Sequence, residues 1–331
     1  MAKASLLAGL LALLSGCQAP EPPLRVAMIQ WVGYQPLHLA QTLGYFGGQP
    51  IRLADFNSNI ESLRAFRNGD VEVAALTLDE VLLLHADAHD AHVVLVMDYS
   101  QGADAIVSRP EYPDMASLKG KRVGVENTAA GAYMLARALE QAGLTSDAVE
   151  IVKVGAENQA QAYRDGSVDV LVTYEPLRTQ LVNMGAREQF NSTQIPGEIV
   201  DVLAVRGSVL KERPEAIAAL LSGWFRALDY AQAHPDDTAQ RLAPRLELSA
   251  AEYRQAVAGI RLPALAENCA LLNNPATQLG ATVARVHALM IRMGLLTARD
   301  APGTDILDAL PLRSLGCDRR GSPAHTAEVA G

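Results

Sequence analysis

Three carboxylates sit where strand-like segments give way to loops. Asp98 lies in Asp98-Tyr99-Ser100, Glu126 in Glu126-Asn127-Thr128-Ala129-Ala130-Gly131, and Glu175 in Tyr174-Glu175-Pro176. A carboxylate in such a place must stay wet, find a partner or receive a cation, because burying it alone is costly. Facing one cleft, the three would select a positive or amidine-like ligand. Trp31 and Tyr34, in Trp31-Val32-Gly33-Tyr34, follow the first strand-like run and offer apolar faces with an indole and a hydroxyl donor. Thr77-Leu78-Asp79-Glu80 follows the third such run and opens a helix, whose free N–H groups can join a pocket. The small residues at Asn127, Thr128 and Ala129 let a ligand approach the backbone. Each group has a plainer role too. Trp31 can pack a lobe edge, and Thr77 and Asp79 can cap a helix. Asp98 can fix a hinge, Glu175 can clamp backbone groups, and 126–131 can simply turn from strand to helix.

Other chemistries find little support. His85 and His89 are four residues apart, with His92 close by, but they sit in a polar linker without HExxH order. GxSxG, GxGxxG and CxxC are missing, so no metal, no dinucleotide or other cofactor and no covalent catalysis is expected. The charge is −9 from 28 basic and 37 acidic residues, with 5% aromatics and no basic run. Nucleic acid is therefore not an expected partner.

The elements that must position these groups alternate. Strand patterns at 24–30, 51–56, 71–75 and 93–97 are interleaved with helix patterns at 37–43, 59–68 and 78–85. A second round follows, with strands at 105–107, 122–125, 149–154 and 168–172 and helices at 133–142 and 158–163. A strand at 200–205 comes next. That rhythm predicts an α/β fold with largely parallel, buried sheets. From Pro214 the chain reads as helical, with one long helix over 216–234, a capping box at Ser249 and Glu252, and a helix over 279–293. Two α/β regions joined by two crossings leave a cleft, where a small ligand can be covered on most sides.

The first residues are a leader. Lys3 precedes an apolar run over 6–14, too short to span a bilayer, and then Ser15-Gly16-Cys17. This stretch resembles the lipobox of bacterial lipoproteins, which implies cleavage before Cys17 and a lipid on its thiol. An ordinary cleaved leader with a chance cysteine is the plainer reading. Gln18, rather than Asp, resembles the pattern of outer-membrane export. Removing 16 residues leaves 315, enough for a large core. The body would hang from a proline-rich tether over 17–23. Cys269 and Cys317 then remain, and outside a reducing compartment they can form a disulfide; one buried and one exposed thiol is the other reading.

Further residues carry a family likeness: Trp31-Val32-Gly33-Tyr34 with Pro36-Leu37, Gly44-Tyr45-Phe46, Asn68-Gly69-Asp70-Val71, Ala75-Leu76-Thr77, Leu118-Lys119-Gly120-Lys121, Val123-Gly124-Val125, Gly166-Ser167-Val168-Asp169 and Tyr174-Glu175-Pro176. In this order they resemble the periplasmic substrate-binding proteins of ABC importers for nitrate, sulfonates, taurine and the thiamine pyrimidine precursor. The resemblance implies a two-lobed type II binding fold with two crossovers, closing on one ligand for an inner-membrane permease, without covalent chemistry. It places ligand-contacting loops after Gln30, Ala75, Val125 and Thr173. The expected layout is a first lobe over 24–102 and 199–245 and a second over 103–198. C-terminal helices over 246–318 would pack mainly on the first lobe, before a disordered tail at 319–331. The expected protein is a monomeric lipoprotein on the periplasmic side of the inner or outer membrane. Its acidic pocket residues point away from nitrate or a simple sulfonate and toward a nitrogen-bearing organic molecule, pyrimidine-like or an amine. Nitrate, taurine or another sulfonate is one alternative ligand class. A ligand-sensing lipoprotein signalling to a membrane partner is an alternative function, and a pyrimidine-synthesis enzyme on the same fold is a remote third.

Overall fold

The computed structural model describes residues 21–273, 278–298 and 304–317. The leader, Cys17, most of the tether and the tail at 319–331 lie outside the described residues. The chain opens with β1 (Leu24–Ile29), α1 (Gln35–Thr42), β2 (Ile51–Phe56), α2 (Asn59–Asn68), β3 (Val73–Thr77), α3 (Leu78–Ala86) and β4 (Ala91–Ser100). It crosses to β5 (Asp104–Ser108), β6 (Arg122–Val125), α4 (Ala129–Gln141), β7 (Glu150–Lys153), α5 (Ala156–Asp165), β8 (Val170–Tyr174), α6 (Leu177–Asn183) and β9 (Arg187–Asn191). It returns through β10 (Val200–Arg206) to α7 (Gly207–Glu212), α8 (Pro214–Ala233), α9 (Pro235–Leu242) and α10 (Ala250–Val257). Then come β11 (Ile260–Arg261), α11 (Leu265–Asn273) and α12 (Gln278–Arg292).

Two sheets form separate lobes. The first has order β11-β4-β10-β3-β1-β2 and the second β7-β6-β8-β5-β9. The βαβ pairs β1–β2, β1–β3, β6–β7 and β6–β8 are parallel, whereas β10 and β5 run antiparallel to both neighbours. The sheets are thus mixed where the sequence suggested largely parallel ones. The reason is topological: β5 and β10 each follow a crossing and enter the sheet from the opposite end. This places the start of β10 beside the carboxyl ends of β3 and β4, with Asp201 opposite both Thr77 and Asp98. These three strands are buried nearly throughout, so polar residues on them sit in the core.

The C-terminal part holds one strand as well as helices. β11 extends the first sheet beside β4. Asn268 on α11 accepts the Val96 N–H at 2.7 Å and donates to its carbonyl at 3.1 Å, pinning that helix to β4. The α12 helix packs on α3 and also reaches α4 of the second lobe. Ser249 and Glu252 close their capping box at the head of α10. Pro235 does not merely end the long helix; it opens α9, since proline suits a first helical position. Cys269 and Cys317 form a disulfide with a Cα–Cα separation of 5.5 Å across 48 residues.

Candidate functional site

The two lobes enclose a cavity of about 40 Å³. The first lobe supplies Trp31, Tyr34, Asn59, Thr77 and Asp201, with Ile29 and Ile199 as apolar wall. The second supplies Asp104, Glu126, Thr128, Gln159, Thr173 and Tyr174, with Met134 and Val172. Trp31 and Tyr174 meet edge to face across the cleft, ring centres 5.9 Å apart and planes at 76°. An aromatic pair in this arrangement gains beyond its buried area.

The first lobe holds its aromatics with acids. The Trp31 indole donates to Asp98 Oδ2 at 3.0 Å, and the Tyr34 hydroxyl donates to Asp201. Asp98 and Asp201 lie opposite each other on β4 and β10. Burial raises both carboxyls, and the Asp98 charge raises Asp201 further. Gly33 is required here by space: a Cβ would lie 1.9 Å from Asp98 Oδ2 and 2.5 Å from the Trp31 indole nitrogen.

The second lobe brings two more acids. Burial pushes Glu126 up to about 7, the Glu157 charge adds to this, and the Tyr174 hydroxyl at 3.5 Å opposes it. Burial also pushes Asp104 up to about 6, against a hydrogen bond from Ser100. Glu126 Oε1 is buried and has no hydrogen-bond partner. The Thr128 hydroxyl caps α4 by accepting the Gly131 N–H at 3.2 Å, which fixes the loop beside Glu126. Among the described residues, no arginine or lysine lines the cavity.

Of the residues expected to touch ligand, the structure gathers Trp31, Tyr34, Thr77, Glu126, Thr128 and Tyr174 around one cavity. Six others do not line it. Glu175 is held within its own lobe, accepting from Arg178 at 2.9 Å, the Thr179 N–H at 3.1 Å and the Thr179 hydroxyl at 2.9 Å, so it anchors the start of α6. Asp98 lies beneath Gly33 against the indole and Asp201. Leu78 is core, because α3 begins directly after β3 without a loop. Asp79 is buried on that same first turn, where burial pushes its carboxyl up to about 6 and a hydrogen bond with Thr77 opposes it. Ala129 packs inside the first turn of α4, leaving Ala130 and Gly131 to face the cavity. Asn127 is exposed and faces an outer chamber of about 430 Å³ instead.

Asp201, Asn59, Gln159 and Thr173 were not singled out by the sequence reading. Asn59 follows β2 as the tested loops follow their strands, so the strand-end rule would have found it. Asp201 is a lone acid in an otherwise apolar strand, Val-Asp-Val-Leu-Ala-Val, and that misfit was the available cue. Gln159 lies on a helix face and Thr173 within a strand; neither carries a local signature.

Among the described residues, no group of three or more His, Cys, Asp or Glu is placed to hold a metal ion, and no helix is long and apolar enough to cross a membrane. His92 pairs with Asp90 at 2.7 Å, and His85 lies 3.6 Å from Asp305.

Two mixed sheets of the same plan, two crossings and an enclosed interlobe cavity define a type II periplasmic-binding-protein fold. The chain belongs to the NMT1-like family, whose sequence profile matches residues 17–247. A binding protein of Brucella abortus is 24% identical over 203 residues, which are 57% of this chain and 62% of that protein. The match therefore spans less than two thirds of that relative. The alkanesulfonate-binding protein SsuA from Xanthomonas axonopodis pv. citri, solved with MOPS, superposes with a TM-score of 0.71 at 18% identity, covering 85% of this chain and 96% of that one. The desulfurization enzyme DszB superposes with a TM-score of 0.64 at 17% identity, covering 89% and 98%. One fold thus carries both capture and catalysis, and the site must decide between them.

Proposed function

We propose that this protein is an extracytoplasmic solute-binding protein that closes its lobes over a small nitrogen-bearing molecule, neutral to cationic, and hands it to an ABC importer permease. The carrying observation is the cavity: aromatics from both lobes meet across it, and its ionisable lining consists of the carboxyls Asp201, Asp104 and Glu126 with the tyrosines. Among the described residues, the lining holds no cysteine, histidine or lysine to act as nucleophile or base, which favours capture over chemistry. Trp31, Tyr34, Thr77, Glu126, Thr128 and Tyr174 are the proposed contacts, joined by Asp201 and Asp104. A lipid on Cys17 would hold the protein at the membrane.

The sulfonate-binding relatives favour a second reading, an alkanesulfonate or taurine-like ligand. Raised carboxyls make it chemically sensible, since a protonated acid can donate to an anion. The two readings have opposite pH dependence. A cation needs the carboxylates ionised, so its affinity rises with pH through about 6 to 7, where Asp104 and Glu126 titrate. A sulfonate needs them protonated, so its affinity falls by up to about tenfold per pH unit for each linked proton. Native mass spectrometry of the purified protein identifies the carried ligand, and calorimetry at pH 5.5 and 8 gives the sign. A protein that carries nothing and responds to no solute in a broad thermal-shift panel defeats the capture reading. A Cys17→Ser variant that still fractionates with membranes defeats the anchor.

A further inference from the structure

The inner cavity asks for hydrogen-bond donors as well as for positive charge. Glu126 is 5% exposed and Thr173 2% exposed; both line the cavity, and Glu126 Oε1 and Thr173 Oγ1 have no partner. The other Glu126 oxygen already faces the Tyr174 hydroxyl, and Asp201 already takes that of Tyr34. A quaternary ammonium would bring charge but no N–H, leaving the buried oxygens unpaired, which is the expensive case. A primary ammonium or an amidinium supplies both.

Size sets a second condition. About 40 Å³ holds the equivalent of a few waters, so only a compact head fits. Ile29, Gln159, Thr173 and Tyr174 also wall a neighbouring chamber of about 270 Å³. That chamber mixes apolar surface from Phe56, Leu177 and Leu246 with the amides of Asn57 and Gln180 and the carboxyls of Glu157 and Glu247. It offers room and apolar contact for a continuation of the molecule.

Resting on the capture reading above, we propose that the ligand is a head-and-tail cation. Its N–H-bearing head, a primary ammonium or amidinium, fills the inner cavity against Glu126, Asp104 and Asp201. Its tail passes Tyr174 into the outer chamber, and quaternary ammonium is rejected.

Calorimetry on the full mature chain at pH 8, with methylamine, hexylamine, hexyltrimethylammonium and hexanesulfonate, tests this. Hexylamine is expected to bind at least a hundredfold tighter than hexyltrimethylammonium and at least tenfold tighter than methylamine, since each buried methylene is worth about fourfold. Glu126→Gln and Thr173→Val should each weaken hexylamine at least tenfold. Leu177→Trp, which fills the chamber, should bring hexylamine to the methylamine level while leaving methylamine within threefold. Circular dichroism confirms that each variant is folded. Equal binding of hexylamine and the quaternary compound overturns the donor requirement. No gain from methylamine to hexylamine overturns the tail. Hexanesulfonate binding alone, or silence from every amine, overturns the cationic head; capture itself is judged separately by the ligand seen in native mass spectrometry.

Discussion

Buried carboxylates in this molecule live in two kinds of surroundings. Away from the cavity, on the second lobe and at the hinge, they are met by arginine. Glu175 faces Arg178 at 2.9 Å, Asp169 faces Arg122 at 2.8 Å, and Glu198 faces Arg137 at 2.7 Å. At the floor of the cleft, Asp98, Asp201 and Glu126 have indole and hydroxyl donors, and among the described residues no guanidinium or ammonium bonds to them or to Asp104. The titration follows. Burial works against Glu198 too, yet Arg137 and Tyr133 hold it below the ordinary range, whereas burial wins at Glu126 and Asp104. A neutralised acid is a fastener. An unneutralised one costs stability, and on the proposed reading a cationic ligand would offset that cost.

Two substitutions break this contrast. Arg178→Met leaves Glu175, 1% exposed at its side chain, buried without its cation. Removing one partner of such a pair costs about 3–5 kcal/mol, and urea unfolding should show a loss of that size. A loss below 1 kcal/mol would place Glu175 among the tolerant, ligand-facing acids after all. Gly33→Ala acts at the other region. Its Cβ would collide with Asp98 and the Trp31 indole, so the Asp98–Trp31 bond must yield. Overpacking of this kind costs about 1–3 kcal/mol, and the Trp31 emission should shift as the indole loses its acceptor. An unchanged spectrum and stability would mean that the acid pair does not position the aromatic.

Much of the scaffold was legible because apolar periodicity follows from burial. Helix 59–68 and strand 122–125 were placed to the residue, and the strand–helix alternation over 24–205 gave the two α/β units. What hid were elements whose sequence lacks that pattern. β9, Arg-Glu-Gln-Phe-Asn, is a polar edge strand with one buried residue, and α9 begins at a proline usually read as a stop. Within the site, strand-end loops were legible as places, but the direction of each side chain was not. Glu175 and Glu126 look equivalent in sequence. Their difference is Arg178, one helical turn past Glu175, which turns that acid inward; Glu126 has no such neighbour. Asp98 was undecidable from sequence because its partners, Trp31 and Asp201, lie 67 and 103 positions away.

Titration sharpens the contrast at a smaller scale. Below about 4.5 Glu126 is protonated in folded and unfolded chains alike. Between there and about 7 the folded chain keeps a proton that the unfolded chain has lost. Ligand-free stability should therefore fall as pH rises through that window and level off above it, by at most about 1.4 kcal/mol per pH unit from this group. Glu126→Gln should flatten that part of the curve. Glu198, held low by Arg137, acts with the opposite sign: its contribution is present at neutral pH and is lost on acidification. Urea melts from pH 4.5 to 8 separate the two. A wild-type curve that climbs from 5 to 7 would show that the cleft acids are neutralised by something in the folded protein.

The smallest effect tests whether closure is governed at the floor or at the rim. Outside the cavity, Asn183 at the end of α6 donates to Glu252 on α10 at 3.0 Å, a polar contact between the lobes with Asn183 exposed and Glu252 half-buried. Water competes for each group, so the bond contributes little compared with the buried Trp31–Tyr174 pair, which has no such competitor. Asn183→Ala should leave stability within about 0.5 kcal/mol and ligand affinity within about twofold. Glu252 keeps its capping bonds to Ser249 in that variant, so α10 is not disturbed. Tyr174→Ala, by contrast, removes the aromatic contact and should weaken ligand binding at least tenfold while the first lobe stays folded. If Asn183→Ala matched or exceeded Tyr174→Ala in lost affinity, the lobes would be held by their rim, and the acids and aromatics at the floor would not control capture.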